Sequence, residues 1–227
     1  MLNPEILKII ASSKDDGWVV EPSAKRILKL SGINVMPFEV AFDVDEAIKQ
    51  AQKIGYPLAA KVVSPKIMHK SEVGGVVLGI KAESQLSQVI RDFRKMDHFR
   101  GVHLEPMATG VEFIVGAKND YQFGPVVMLG MGGTGVEIYQ DVALRMAPIG
   151  ANDVISMLNC LKAHQLITGY RGTPPINTDD LIELMLAFSE MTMALQTHFE
   201  SIDLNPVLCG PNGCMIADAR MVLKTDD

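Results

Sequence analysis

Residues 64–76 contain a histidine between two lysines, followed by a pair of glycines. The histidine is His69, and the lysines are Lys66 and Lys70. An imidazole can accept and release a proton or a phosphoryl group near neutral pH, and lysine ammonium groups stabilise a phosphoryl group in transfer. The segment matches no regular motif, so two interpretations stay open: a phosphoryl-transfer loop, or a solvated loop with an incidental histidine.

Lys61 lies in a second segment of interest, the otherwise apolar residues 59–63. The segment predicts a strand, and lysine is rarely buried unless its ammonium is paired. One interpretation is an edge strand whose lysine extends its ammonium to water. The other is a cation that points into a cleft and binds phosphate. The common use of lysine stems on apolar surfaces favours the first interpretation.

Residues 130–135 form a glycine-rich loop after the apolar segment 125–129. Such a loop lets backbone N–H groups approach a phosphate or a carboxylate. No Lys-Ser or Lys-Thr pair follows, which excludes a P-loop. The next residues, 136–139, predict a strand rather than the helix of a Rossmann turn. By itself, the loop is more simply interpreted as a glycine-rich hairpin.

Polar residues interrupt the last two apolar segments, which Asn212-Gly213 predicts to form a hairpin. Asp203 and Asn205 are two residues apart and therefore share one face of a strand, while Asp218 lies on the partner strand. Carboxylate and carboxamide oxygens suit Mg²⁺. We expect a magnesium site here rather than a hairpin end that is merely polar.

The periodicity of the remaining sequence indicates an α+β (α/β) fold of two lobes. The first half alternates helix-period and strand-period segments, whereas the second half has short strand-like segments, two helices and the closing hairpin. The junction is predicted near residues 99–106. Glu105 and Glu112 lie at or just beyond it, and each could accept ribose hydroxyls or be a solvated surface glutamate.

Composition excludes several classes of protein. The chain has 227 residues, of which 48% are hydrophobic and 21% charged, so it is neither disordered, collagen-like nor a coiled coil. A net charge of −6 leaves no broad basic face for nucleic acid. We expect no membrane span and no signal peptide. Cys160, Cys209 and Cys214 lack metal-binding or disulfide spacing, so we expect reduced thiols in a cytoplasmic protein.

Segments along nearly the whole chain resemble, in order, the ATP-grasp (β) subunit of the ADP-forming acyl-CoA synthetases, which include ADP-forming acetate–CoA ligase. The similarity to the β subunit of succinyl-CoA synthetase is more distant. The matching segments are Glu21-Pro22 with Ala24-Lys25, Lys61-Val62-Val63-Ser64-Pro65, His69-Lys70-Ser71 with Val73-Gly74-Gly75-Val76, Gly124-Pro125-Val126-Val127-Met128 with Gly130 and Gly132-Gly133, Asp141-Val142 with Arg145 and Ala147-Pro148, Gly169-Tyr170-Arg171-Gly172, Asp203 with Asn205-Pro206, and Ala217-Asp218-Ala219-Arg220.

The resemblance implies an ATP-grasp fold with an N-terminal lobe, residues 1–103, and a C-terminal lobe, residues 104–227. ATP or ADP, with Mg²⁺, would bind between them. His69 would be a transient phosphoryl carrier. The implied binding roles are nucleotide phosphates for Lys61, adenine for Glu105 and Met107, ribose for Glu112, and magnesium for Asn205 and Asp218. Supporting roles are implied for Lys70, Gly132, Gly133, Arg145 and Asp203.

The implied reaction is acyl-CoA + ADP + phosphate ⇌ carboxylic acid + CoA + ATP, with this chain handling the nucleotide. No segment of the sequence resembles the CoA-binding lobe, so the resemblance implies a hetero-oligomer with a CoA-binding α subunit that also receives the small carboxylic acid. Two alternatives remain: a regulatory ATP-grasp-like module of a larger enzyme, and a stand-alone ATP-grasp ligase. The presence of His69 argues against the module, and the glycine-paired His69 loop argues against the ligase.

Overall fold

The chain forms two compact units in a computed structural model that describes residues 2–133 and 141–224. The large unit comprises Met1–Val19, Ser23–Val35 and Thr109–Asp227, and the small unit comprises Val20–Pro22 and Met36–Ala108. Part of the glycine-rich loop and the strand predicted over residues 136–139 lie outside the described residues. Within the described ranges, no helix combines the length and apolar character that a membrane span requires.

The small unit is built on an antiparallel sheet of four strands in the order β2-β5-β3-β4. Two helices accompany the sheet, and the Asp43 side chain begins the first of them by accepting a hydrogen bond from the Glu46 N–H. The elements are β2 (Glu39–Ala41), α3 (Val44–Ile54), β3 (Leu58–Val63), β4 (Val76–Ile80), α4 (Glu83–Phe93) and β5 (Gly101–Pro106).

Strand β3 is buried on both of its faces. Leu58, Ala60 and Val62 join the hydrophobic core that includes the buried side of α4. Because side chains alternate along a strand, Ala59 and Lys61 lie on the other face. The strand therefore presents a buried lysine on the face away from this core.

The large unit is built on a sheet of seven antiparallel strands in the order β1-β11-β9-β6-β7-β8, with β10 paired to β9. Alternate residues of β6 and β9, including Phe113 and Leu204, share one core with helix residues such as Phe188. The strands are β1 (Trp18–Val19), β6 (Val111–Asp120), β7 (Gly124–Met131), β8 (Val142–Met146), β9 (Phe199–Gly210), β10 (Gly213–Ile216) and β11 (Ala219–Leu223). The described helices that complete the chain are α1 (Pro4–Ser13), α2 (Glu21–Leu30), α5 (Ala151–Cys160), α6 (His164–Thr168) and α7 (Thr178–Leu195).

The observed units differ from the predicted division into residues 1–103 and 104–227. The N-terminal residues up to 19 belong with the C-terminal half because β1 pairs with β11, with Trp18 opposite Val222. Ile27 and Leu28 of α2 also join the core of the large unit. The later boundary falls after Ala108, since β5 continues through position 103 to Pro106.

The expectation that all three cysteines are reduced thiols is wrong for two of them. Cys209 and Cys214 are paired residues of β9 and β10 and form a buried disulfide. Their side chains meet because the hairpin register places the two residues directly opposite each other. Cys160 is a free, exposed cysteine.

Candidate functional site

Five charged or titratable side chains gather in the small unit on the face of β3 that carries Lys61. We call Glu21, Lys61, Lys70, His103 and Glu105 the charged cluster. The pairing of β3 with β5 places Lys61 opposite His103 and Ala59 opposite Glu105. Glu21 begins α2, and Lys70 begins a short 3₁₀ turn. Each of the five residues is less than one-tenth exposed.

The cluster is a network of short ion pairs. Lys61 Nζ lies 2.9 Å from Glu21 Oε1 and 2.6 Å from Glu105 Oε1. Lys70 Nζ lies 2.6 Å from Glu21 Oε2. Two carboxylates and two ammonium groups therefore alternate, which offsets the cost of burying each charge. Of the two interpretations of Lys61, the extension of its ammonium to water is wrong, because its side chain is only 6% exposed.

His103 completes the charged cluster. Its Nε2 lies 3.2 Å from Glu105 Oε2 and 3.7 Å from Glu21 Oε1, and its ring stacks on Phe38 with centroids 4.7 Å apart. Ligand atoms of Glu21, His103 and Glu105 lie within 4.8 Å of one another, a spacing that could hold a cation. The ammonium groups of Lys61 and Lys70 already contact those carboxylates, so the geometry favours an ion-pair network over a metal site.

Sequence reasoning missed Glu21 and His103 as cluster members. The signal for His103 was available, because residues two apart on a strand share a face and His103 precedes Glu105 by two. The pairing of Glu21 with Lys61, 40 residues away, leaves no local signal.

His69 lies at the surface, directly before the 3₁₀ turn Lys70–Val73. Its side chain is 60% exposed, and its Nδ1 lies 3.7 Å from Glu72 Oε1. Lys66 is exposed, whereas the adjacent Lys70 turns inward to Glu21. Lys70 is thus part of the charged cluster. This placement differs from the prediction that Lys66 and Lys70 both lie beside the histidine and stabilise a phosphoryl group in transfer.

Met107 follows β5 and is 39% exposed. Its Sδ accepts a hydrogen bond from the Gly79 N–H at 3.3 Å, and its own N–H donates to the Pro57 carbonyl at 3.4 Å. Glu105, the other residue expected to meet adenine, instead contacts Lys61 and His103. The adenine role of both residues stays a prediction.

In the large unit, two glycines of the glycine-rich loop lie against Glu112 of β6. The Gly132 N–H donates to the Glu112 carbonyl at 2.6 Å, and a Cβ at position 132 would lie 2.8 Å from Glu112 Cβ. Gly133 has a φ of +82°, which glycine adopts readily. Residue 132 can therefore lie this close to the exposed Glu112 only because it lacks a side chain.

The predicted magnesium ligands lie near the pairing of β9 with β11. Asn205 belongs to β9, whereas Asp218 lies between β10 and β11 rather than on the predicted partner strand. Their neighbours Leu204 and Ala219 pair with each other, and the metal role of Asn205 and Asp218 stays a prediction. Asp218 Oδ1 accepts a hydrogen bond from the Ala219 N–H at 2.8 Å. Asp203 forms an ion pair with Arg220, in which Arg220 Nη2 lies 3.3 Å from Asp203 Oδ2.

Arg145 projects from β8 and is held by two hydrogen bonds. Its Nη1 donates to the Leu144 carbonyl at 2.8 Å, and its Nη2 donates to Ser156 Oγ at 2.9 Å. These contacts fix the guanidinium between β8 and α5. The supporting role predicted for Arg145 stays a prediction.

A cavity of about 330 Å³ that the sequence did not reveal lies on the sheet of the large unit. It is lined from four neighbouring strands, by residues that include Lys118 of β6, Met128 of β7, Leu144 of β8 and Asp203 of β9. At its edge, the N–H groups of Phe123 and Gln122 lower the pKa of Asp120 by hydrogen bonding to its carboxylate. Such a cavity depends on strand order, which periodicity does not supply.

Comparison with known proteins agrees with this architecture. A protein-family model described as an ATP-grasp domain matches residues 10–223 of the sequence. The β subunit of acetate–CoA ligase [ADP-forming] I from Pyrococcus furiosus is 40% identical over 213 residues, which cover 90% of this chain and 91% of that protein. Acetate–CoA ligase [ADP-forming] I from Archaeoglobus fulgidus is 39% identical over 91% of this chain, which spans 31% of that protein.

A solved structure of acetyl-coenzyme A synthetase 1 from Ca. Korarchaeum cryptofilum superimposes with a TM-score of 0.85 at 32% identity, covering 96% of this chain and 100% of the matched chain. That protein is in complex with coenzyme A and Mg-AMPPCP, and its phosphohistidine segment points towards the nucleotide binding site. The two sheets and the family match define an ATP-grasp protein. Within that class, the chain belongs to the family of ADP-forming acetate–CoA ligase β subunits.

Proposed function

We propose that this chain is the nucleotide-handling subunit of an ADP-forming acyl-CoA synthetase, which catalyses acyl-CoA + ADP + phosphate ⇌ carboxylic acid + CoA + ATP. The observation that carries the proposal is the match to a named β subunit across about nine-tenths of both chains. His69, which is exposed, and Lys61, which is buried, lie in the small unit and are the proposed phosphoryl carrier and the proposed phosphate-binding cation. A cytoplasmic location is part of the proposal, because ATP and CoA are intracellular metabolites.

In this proposal, Lys61 binds the nucleotide phosphates. A lysine ammonium is a compact cation with three donors, which suits a phosphate oxygen. A phosphate oxygen would replace or join Glu21 and Glu105 as a partner of Lys61. Glu105 and Met107 would bind adenine and Glu112 the ribose, with the backbone of Gly132 and Gly133 beside it.

Magnesium is the proposed metal, and Asn205 and Asp218 are its proposed ligands. Their carboxamide and carboxylate oxygens are the donors that Mg²⁺ prefers, and Asp203 lies on the same strand. When bound, Mg²⁺ would neutralise charge on the phosphates of the nucleotide. The register that pairs Leu204 with Ala219 supports this donor set.

His69 is the proposed phosphoryl carrier. In the direction of ATP formation, a ring nitrogen of His69 takes the phosphoryl group that the partner reaction supplies. The N–P bond then breaks as a terminal phosphate oxygen of ADP bonds to the phosphorus, which regenerates the imidazole and yields ATP. The exposure of His69 supports this role, because the ring must reach two reactants in turn.

A CoA-binding α subunit is the proposed partner. The name of the Pyrococcus relative as a subunit supports it, as does a longer relative in which this chain spans 31% of the protein. Strand β8 also exposes Val142, Leu144 and Met146, three apolar residues that alternate along one face. An exposed apolar patch of this kind is typical of a docking surface.

The decisive experiment measures ATP formation from acetyl-CoA, ADP and phosphate with Mg²⁺. We expect no turnover by the purified chain and sustained turnover after addition of a CoA-binding α subunit. Turnover by this chain alone would contradict the proposal and favour a stand-alone ligase. No turnover with the partner, together with intact ADP binding, would favour a regulatory module.

Nucleotide binding supplies a separate test of the metal ligands. Asp218→Ala is expected to weaken Mg²⁺-dependent ADP binding by about 1–3 kcal/mol, because it removes a charged oxygen donor. Isothermal titration calorimetry with and without Mg²⁺ measures the change. Asp179→Ala, which changes an aspartate near the start of α7, serves as the matched control. Equal affinity of the wild type and Asp218→Ala would remove Asp218 from the site.

A further inference from the structure

Glu21 joins two parts of the small unit through one carboxylate. Its Oε1 lies 2.9 Å from Lys61 Nζ on β3, and its Oε2 lies 2.6 Å from Lys70 Nζ, at the residue that follows His69. Glu21 is only 3% exposed, so water screens neither contact effectively. The position of the Lys61 ammonium and the position of the His69 segment therefore depend on the same buried anion.

Lys70 is held at two points. Its ammonium contacts Glu21, and its carbonyl accepts a hydrogen bond from the Gly75 N–H at 2.7 Å. Gly75 must be glycine for this contact, because a Cβ there would lie 2.6 Å from Val62 Cγ1 and 3.0 Å from the Lys70 carbonyl oxygen. The residue after His69 is thus held by Glu21 and by Gly75, whose carbonyl accepts a hydrogen bond from the Val62 N–H of β3 at 2.8 Å. His69 itself remains exposed.

We propose that Glu21 is a positioning residue: its carboxylate fixes the Lys61 ammonium and the segment that carries His69 relative to each other. This inference rests on the proposed roles of Lys61 in phosphate binding and of His69 as carrier. The carboxylate accepts hydrogen bonds from both ammonium groups. Glutamine at this position presents an N–H₂ group, so one of the two lysines would face a donor instead of an acceptor. Loss of either contact leaves a buried ammonium with less compensation and loosens the segment that it anchors.

Hydrogen–deuterium exchange tests the anchor independently of catalysis. Glu21→Gln and Lys70→Met are expected to raise exchange of the Gly75 amide by about tenfold or more, since the contact to the Lys70 carbonyl opens more often. Lys95→Met is the control, because Lys95 forms an exposed ion pair with Asp92 at the same 2.6 Å distance. Wild-type exchange in both Glu21→Gln and Lys70→Met would overturn the inference.

The rate of His69 phosphorylation tests positioning in the complete enzyme with its CoA-binding subunit. We expect Glu21→Gln and Lys70→Met each to slow acid-labile labelling from ATP by about 10–100-fold, with partial rescue by Glu21→Asp. The double variant is expected to be slowed by less than the product of the two single effects, because both changes affect the contact between Glu21 and Lys70. Multiplied effects in the double variant would overturn the coupling that we infer.

The two measurements separate the inference from the proposed function. Failure of the wild-type enzyme to form an acid-labile label would contradict the carrier role of His69, and faster Gly75 exchange in Glu21→Gln would still support the anchor. A labelled wild type with equal labelling rates in Glu21→Gln and Lys70→Met would overturn the inference and leave the proposed function intact.

Discussion

Replacement of His69 by asparagine is expected to abolish acyl-CoA synthetase turnover in the complete enzyme, by about 10³-fold or more, because it removes the proposed acceptor nitrogen of the phosphoryl group. Nucleotide binding is expected to survive. The His69 ring is 60% exposed and lies 3.7 Å from Glu72, so the substitution breaks no short contact to the charged cluster. The variant therefore separates transfer of the phosphoryl group from binding of the nucleotide.

Radiolabelled ATP with Mg²⁺ measures this effect directly. A phosphoryl group on a histidine nitrogen is labile in acid and stable in alkali, so we expect label that survives alkali in the wild type and none in His69→Asn. His98→Asn is a matched control. His98 is 59% exposed, lies 3.6 Å from Asp97, and has a φ of +48° that asparagine tolerates. Undiminished labelling of His69→Asn, or loss of label in His98→Asn alone, would contradict the carrier role.

The sequence predicts much of the architecture, because hydrophobic periodicity is a local property. The strand that carries Lys61 and the closing hairpin around Asn212-Gly213 are both confirmed. The boundaries of the two units were harder to predict from the sequence. Strand β1 contains only Trp18 and Val19, and its partner β11 lies at the opposite end of the chain. A two-residue strand has no periodicity, and no local pattern indicates a pairing across about 200 residues of sequence.

The contacts of the candidate site were equally hard to predict, because they join residues that are far apart in the sequence. The order of motifs identifies the family, and the individual roles of Lys61, Asn205 and Asp218 remain predictions drawn from it. The ion pairs of Lys61 and Lys70 with Glu21 join residues 40 and 49 positions apart. From the sequence, Lys66 and Lys70 were expected to stabilise the phosphoryl group beside His69. The Lys70 ammonium is instead buried against Glu21, because a buried carboxylate is costly without a cation as its partner.

The second large effect concerns the stability of the charged cluster. Lys61→Met is expected to lower the free energy of unfolding by about 3–5 kcal/mol, because it removes a buried cation from two buried carboxylates. Glu105 loses its 2.6 Å contact with Lys61 and Glu21 loses its 2.9 Å contact, while the 2.6 Å contact between Glu21 and Lys70 remains. Methionine preserves the volume and apolar stem of lysine, so the change tests charge rather than packing.

Urea unfolding followed by circular dichroism measures this loss. Arg26→Met is the control, since Arg26 pairs with Glu5 at 2.8 Å with both side chains nearly half exposed, and its midpoint is expected to shift little. A second variant distinguishes unpaired charge from general damage to β3. Glu105→Gln in the Lys61→Met background removes the charge of a carboxylate that has lost its contact with Lys61, so the double variant is expected to be more stable than Lys61→Met alone. A double variant that is less stable than Lys61→Met would contradict the view that charge balance holds this cluster together, and would assign the loss to packing of β3 against β5.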